Sequence, residues 1–293
     1  MYEQYYGFVE KPFSLTPDPK YLYRSESHNN AFELLQYALE RREGFVVITG
    51  DIGTGKTTLC RAVLEQTDRR TFTALLLNPF LSEDDLLKAI LQDLGVISRA
   101  EDRSSVRTPS KQDLIGTLHD FLLSLIPLEG RAVVIIDEAQ NLPLPILEQI
   151  RILSNLETDK EKLLQIILVG QLNLIPLLRS PELRQLDQRI SVRYQLKPLT
   201  EEEVTAYISH RLAVANGARN VTFVPRAIQR IHHYSGGIPR VINLLCERAL
   251  LGAYSAQTAR VTPNFVEVAA EGLDLKIEQT DGSSWFGRLR KAM

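Results

Sequence analysis

Gly50-Asp51-Ile52-Gly53-Thr54-Gly55-Lys56-Thr57-Thr58 constrains this chain more than any other segment. It satisfies G-x-x-x-x-G-K-[ST], follows the apolar run Phe45-Val46-Val47-Ile48-Thr49, and opens a helical pattern over 58–66. A strand, Gly-rich loop and helix in that order make a phosphate cradle. The glycines let backbone N–H groups curl around phosphate oxygens, and the helix N-terminus adds favourable partial charge. Lys56 is expected to neutralise β/γ-phosphate charge. Thr57 can give its hydroxyl to Mg²⁺, an ion that takes oxygen ligands and keeps several waters. Gly50, Asp51, Ile52, Gly53, Thr54, Gly55, Lys56, Thr57 and Thr58 are all candidate nucleotide contacts.

Four more runs read as strands: 73–77, 132–136, 164–169 and the more alternating 190–196. Helical patterns separate them at 84–94, 111–126, 143–156 and 181–187, and another, from Ser27 to Gly44, precedes the first strand. Alternating strand and helix predicts an α/β fold with a mainly parallel sheet. After Pro198 the strand pattern stops, and helical patterns follow at 201–215, 225–234, 239–255 and 263–271. The predicted organisation is a strap and helix over 1–44, a nucleotide-binding core over 45–198, a helical domain over 199–271 and a flexible tail over 272–293. Residues 95–109 read as an exposed polar loop. In the strap, Pro17 and Pro19 are expected to hold the backbone extended. Its aromatic residues, Phe8 to Tyr23, either lie beside a base in an apolar slot or cover core.

Asp137-Glu138 ends the third core strand, in the same sheet as the phosphate loop. There Asp137 is placed to partner Mg²⁺, and Glu138 to polarise a water attacking the γ-phosphate. Read alone, the pair would be a helix start with first-turn charge. Gln171, after the fourth strand, either orients that water or starts a helix, with Asn173 a weaker substitute. Arg189, at the edge of the fifth strand, is either solvated surface or a cation reaching a neighbouring subunit's nucleotide. Gly236-Gly237-Ile238-Pro239-Arg240 breaks one helix and starts another, leaving Arg240 in a first turn. A cation is unfavourable at that positive dipole end unless an anion such as a γ-phosphate compensates it; the alternative is a surface arginine paired with a carboxylate.

Charge supplies no partner. With 34 Lys and Arg against 36 Asp and Glu the net charge is −2, which argues against nucleic acid as the main ligand. Cys60 and Cys246 match no metal-ligand spacing and suit a reducing, cytoplasmic setting. No run reaches the roughly 18 apolar residues that a membrane span needs.

Taken together, GDIGTGKT, VVIIDEAQ, VGQ, DQRI and GGIPR resemble the Walker A, Walker B, sensor 1, arginine-finger and sensor 2 elements of AAA+ ATPases. More narrowly, YYGFVEKPFSLTPDPKYLYRSESHNNAFELLQYAL with ITGDIGTGKTTLCRAVLEQ looks like the general secretion pathway protein A (ExeA-type) family, over about residues 2–271. The resemblance implies an AAA+ P-loop core with strand order 5-1-4-3-2, a helical lid, and assembly into a homo-oligomer. It also implies Mg²⁺-dependent ATP hydrolysis coupled to a membrane-associated secretion or exopolysaccharide export complex, and a cytoplasmic place, peripheral at the inner membrane. Members commonly continue into a transmembrane helix and a peptidoglycan-binding domain, whereas this sequence stops after WFGRLRKAM. It is expected to be either a cytosolic variant or a truncated chain. Two other functions fit the same motifs: a DNA-associated ATPase of the transposition-helper or origin-loading type, and a nucleotide-gated scaffold with little turnover.

Overall fold

A computed structural model describes residues 2–77, 82–98, 109–158, 162–216 and 220–275. The chain forms two compact units, one made of residues up to Thr16 together with those from Pro198 onward, the other of Pro17–Lys197. The chain opens with α1 (Tyr2–Tyr6), which belongs to the first of these units.

The Pro17–Lys197 unit runs α2 (Glu26–Glu40), β1 (Phe45–Gly50), α3 (Lys56–Glu65), β2 (Thr71–Leu76), α4 (Glu83–Asp93), α5 (Lys111–Leu125) and β3 (Arg131–Ile136). It continues with α6 (Leu144–Leu153), β4 (Leu164–Gly170), α7 (Leu174–Leu178), α8 (Arg184–Asp187) and β5 (Ile190–Leu196). The five strands form one sheet in the order β2-β3-β4-β1-β5, every pair parallel. This is the expected 5-1-4-3-2 order read from the other edge. Strand side chains alternate between two cores. Phe45, Val47, Val134, Ile136, Ile166 and Leu168 pack with α4, α5 and α6, while Val46, Ile48, Val133, Ile135, Ile167 and Val169 pack with α2 and α3. Burial on both faces explains why β1, β3 and β4 read as continuous apolar runs, whereas edge strand β5 alternates.

Several expectations are corrected here. Pro19 does not continue an extended strap: it opens a 3₁₀ turn, Pro19–Tyr21, capped by Asp18, since a proline's fixed φ suits a first helical position. α2 ends at Glu40, and Arg42, not Gly44, takes the positive φ (55°) beyond it. α7 shows no helical run in the sequence, because five residues are too short for a period; the helix start weighed at Gln171 falls at Asn173. Of the predicted polar loop, residues 99–108 lie outside the described residues, as does the tail from 276.

The other unit holds α9 (Glu201–Val214), β6 (Thr222–Phe223), α10 (Pro225–Ser235), α11 (Pro239–Ser255), β7 (Arg260–Val261) and α12 (Pro263–Glu271). Strands do not stop at Pro198, as the pattern suggested. β6 and β7 pair in parallel, but two residues each give no alternation to read. Thr200 and Glu203 form a reciprocal capping box at the start of α9, satisfying two N–H groups that the helix leaves open. Gly236 and Gly237 both have positive φ, 57° and 75°. The Gly237 carbonyl accepts from Leu199 N at 2.9 Å, and a Cβ at Gly237 would overlap the Leu199 carbonyl oxygen. Gly237 therefore answers a backbone crossing within this unit, while Gly236 ends α10 as its left-handed cap.

The strap divides between the two units. Tyr2, Tyr6, Phe8 and Phe13 are buried in the helical unit, where Tyr2 Oη donates to Glu247 Oε2 at 2.7 Å and Phe13 packs edge-on against Phe223. Tyr21 is buried in the sheet unit. For Phe8 and Phe13, the core-covering role is what the structure displays.

Candidate functional site

The phosphate loop leaves β1 at Gly50 and enters α3 at Lys56. Its bend needs left-handed backbone at Gly53 (φ 83°) and Gly55 (φ 96°), a region that a Cβ disfavours. Gly50 is glycine for a different reason: a Cβ there would come within 2.9 Å of the Leu196 carbonyl oxygen and 3.0 Å of Thr54 Oγ1. Thr54 is fully buried and its Oγ1 donates to the Asp51 carbonyl at 2.9 Å, which closes the loop. Ile52 stands exposed at the loop's outside.

Lys56 is buried, with Nζ donating to the Gly50 and Asp51 carbonyls at 3.0 and 2.9 Å. Burial pulls its pKa below the ordinary lysine value, against the opposing influence of the Glu138, Asp137 and Asp51 carboxylates. Next to it, Thr57 Oγ1 donates to Asp137 Oδ2, so the first residue after the lysine meets the first carboxylate after β3. One hydroxyl and one carboxylate suit a hard cation that keeps most of its own waters. Among the described residues no group of three or more His, Cys, Asp or Glu is placed to hold a metal, so an ion here would draw its other ligands from phosphate and water.

Asp137 Oδ1 accepts from Glu138 N at 2.8 Å. Glu138 then takes left-handed backbone (φ 52°), uncommon for a residue with a side chain and frequent where a site holds a group in a set direction. Its Oε2 accepts from Gln140 Nε2 at 2.6 Å and from Gln171 Nε2 at 3.2 Å. Gln140 Oε1 in turn accepts from Gln171 N at 2.9 Å. Glu138, Gln140 and Gln171 thus form a closed ring joining the ends of β3 and β4. Gly170 is glycine because a Cβ would sit 2.8 Å from Gln140 Oε1.

Lys56, Thr57, Asp137, Glu138 and Gln171 are therefore brought together. Arg189 is not. Arg189 Nη1 donates to Ser154 Oγ at 2.8 Å, at the C-terminus of α6. Arg240 is exposed in the first turn of α11, in the other unit, and has no ion pair among the described residues. Asn173 is exposed at the start of α7, where its side chain caps nothing. Two residues escaped the sequence reading. Gln140 stood in the quoted DEAQ string, but an amide two residues after a carboxylate carries no signal until the turn folds it back. His28, on α2, reaches the loop through a contact 26 residues apart in sequence, with Nε2 at 3.0 Å from the Thr54 carbonyl.

Comparison with known proteins agrees with this fold. Residues 39–178 match the AAA domain family. The chain is 45% identical over 275 residues to general secretion pathway protein A of Aeromonas hydrophila, covering 92% of this chain and 48% of that protein. It thus spans about half the length of that curated relative. Among solved structures, the ORC2 protein of Aeropyrum pernix superposes with a TM-score of 0.68 at 17% identity, covering 93% of this chain and 74% of the other. Cdc6p of Pyrobaculum aerophilum gives 0.69 at 17% identity over 92% and 73%. RuvB of Thermotoga maritima gives 0.58 at 21% identity over 88% and 72%. At such identities these three speak for the fold alone. The chain has the AAA+ P-loop fold, is similar to the AAA domain family over residues 39–178, and resembles general secretion pathway protein A over nearly its whole length.

Proposed function

We propose that this chain binds ATP with Mg²⁺ and hydrolyses it, and that the cycle drives assembly or remodelling of a membrane-associated secretion or envelope export complex. The observation that carries the reading is the meeting of Lys56, Thr57, Asp137 and Glu138 at the ends of β1 and β3. In this reading the loop N–H groups and Lys56 hold the β- and γ-phosphates. Lys56 gives up its loop carbonyls for phosphate oxygens, which restores the charge compensation that its burial lacks. Thr57 and Asp137 would hold Mg²⁺, which when bound supplies positive charge against that developing on the phosphates. Glu138 takes the proton of the attacking water and Gln171 orients it.

The partner assignment rests on the 45% identity to a secretion protein, and the charge of −2 supports it over a nucleic-acid ligand. Action in a homo-oligomer, with Arg189 reaching a neighbouring subunit's nucleotide and Arg240 compensated by a γ-phosphate, belongs to the same proposal. So does a cytoplasmic place at the inner membrane. No helix among the described residues is long and apolar enough to cross a membrane.

Phosphate release by the purified chain, measured with and without Mg²⁺, tests the activity. Lys56→Ala removes the buried ammonium and is expected to raise the Kd for ATP by more than about tenfold, the scale of losing a charge-assisted contact. Unchanged binding in that variant would overturn the loop assignment. Gln140→Leu keeps the volume and removes two of the ring's three bonds, leaving Gln171 Nε2 on Glu138. It is expected to lower kcat by about tenfold with little change in Kd, because the ring aims Glu138 and touches no phosphate. A native kcat in Gln140→Leu would remove that role.

A further inference from the structure

α2 begins at the phosphate loop with a buried histidine that the hydrolytic scheme does not use. His28 is 3% exposed. Its Nδ1 lies 2.7 Å from Ser25 Oγ and its Nε2 lies 3.0 Å from the Thr54 carbonyl oxygen. A carbonyl only accepts, so the second bond puts the proton on Nε2, and in the neutral ring Nδ1 then accepts from the Ser25 hydroxyl. Ser25 is held in turn as the N-cap of α2, where its Oγ also accepts from His28 N. The imidazole is thereby fixed at both nitrogens.

The bond acts on a single peptide unit. In a trans peptide the C=O and the following N–H lie in one plane and point in opposite directions. Anchoring the Thr54 carbonyl on His28 therefore turns the Gly55 N–H to the side away from the imidazole. That unit joins a fully buried threonine to a glycine at φ 96°. The fit on the His28 side is close: a Cβ at Gly55 would come 3.3 Å from Nε2.

We infer that His28 is a positioning residue for nucleotide phosphate: by holding the Thr54 carbonyl it presents the Gly55 N–H to the phosphate oxygens of a nucleoside di- or triphosphate. The inference rests on the nucleotide reading of the loop given above. It places His28 in affinity for both ATP and ADP, not in the hydrolytic step, because the peptide it fixes belongs to the cradle and not to the water-polarising ring around Glu138.

The test uses the full chain, with His28→Phe to keep ring volume without a donor and His28→Gln to return an N–H donor. Titration calorimetry with ATP and with ADP is expected to give a Kd raised about five- to tenfold for both in His28→Phe, the scale of one lost hydrogen bond. His28→Gln is expected to recover part of that loss, and kcat at saturating ATP to stay within about twofold of native. A nucleotide-independent readout is the Gly55 amide resonance in ¹⁵N-glycine-labelled protein, expected to shift in His28→Phe while glycines far from the loop stay put. Native Kd values in His28→Phe, or a loss of affinity that follows the loss of Tm and is not relieved by His28→Gln, would overturn the inference. Should His28→Phe fail to fold, His28→Ala against His28→Gln carries the same comparison. A native chain that binds neither nucleotide would remove the nucleotide reading itself, while an unmoved Gly55 resonance would remove the positioning of the peptide; the two failures are separate.

Discussion

Glu138→Gln is expected to leave ATP binding near its native strength while kcat falls by about 10²- to 10⁴-fold, the span that general-base catalysis commonly contributes. The change is nearly isosteric. An amide oxygen in place of Oε2 still accepts from Gln140 Nε2 and Gln171 Nε2, so the ring that joins β3 to β4 survives. Lys56, Thr57 and Asp137 keep their partners, and these are the groups assigned to phosphate and Mg²⁺. What disappears is the ability to accept a proton from water. Single-turnover phosphate release beside ATP titration checks the prediction, and turnover within a few fold of native would show that Glu138 is not the base.

The second large effect concerns stability of the helical unit. Arg211, on α9, is buried at 6% exposure and gives its donors to three acceptors, two in the strap and one on its own helix. Nε donates to the Pro12 carbonyl at 2.5 Å, Nη2 to the Ser14 carbonyl at 3.1 Å, and Nη1 to Tyr207 Oη at 3.0 Å. Tyr207 Oη donates onward to Asn243 Oδ1 at 2.8 Å on α11. Burial raises the Tyr207 pKa, so the phenol stays protonated and available as that donor, although the nearby Arg211 charge pulls the other way. Arg211→Ala removes the stem's packing and leaves two carbonyls without this donor. A loss of about 3 kcal/mol is expected, since bonds to charged groups each contribute roughly 1.5–3 kcal/mol. Hydrogen exchange at residues 2–16 is expected to speed before the rest of the unit opens, because the strap loses its anchor. Arg211→Met, which restores volume without donors, should recover only the packing part. A loss below about 1 kcal/mol, the ordinary range for a surface change, would show that the aromatic contacts of the strap hold it alone.

These two predictions draw on different kinds of legibility. The place of Glu138 was readable because the carboxylate pair directly follows an apolar strand in a chain with a phosphate loop; its role as base is the proposal built on that place. Its sheet order followed from the family resemblance, and the alternating burial in β1, β3 and β4 explains why the strands stood out at all. Arg211 was not readable. It sits in a helical pattern among polar residues, and nothing in the sequence marks which arginine of a helix faces inward until the strap at Pro12 and Ser14 arrives beside it. The same holds for the first 16 residues, which the sequence reading kept in one strap and helix with residues 17–44 and which the structure groups with residues from Pro198 onward. Aromatic residues say that a segment must be covered; they do not say by what.

The sequence by itself determined the strand-loop-helix that can cradle phosphate, the α/β alternation, and the carboxylates and amide at the strand ends. Each is a local pattern, a spacing within about ten residues that backbone geometry turns directly into structure. Only the tertiary structure decided that Gln140 closes a ring with Glu138 and Gln171, that His28 holds the Thr54 carbonyl, that Arg189 rests on Ser154, and that Gly237 is required by the Leu199 backbone. Those facts depend on which distant backbone and side-chain atoms come within hydrogen-bonding or van der Waals reach, and close packing sets that distance only once the whole chain is in place.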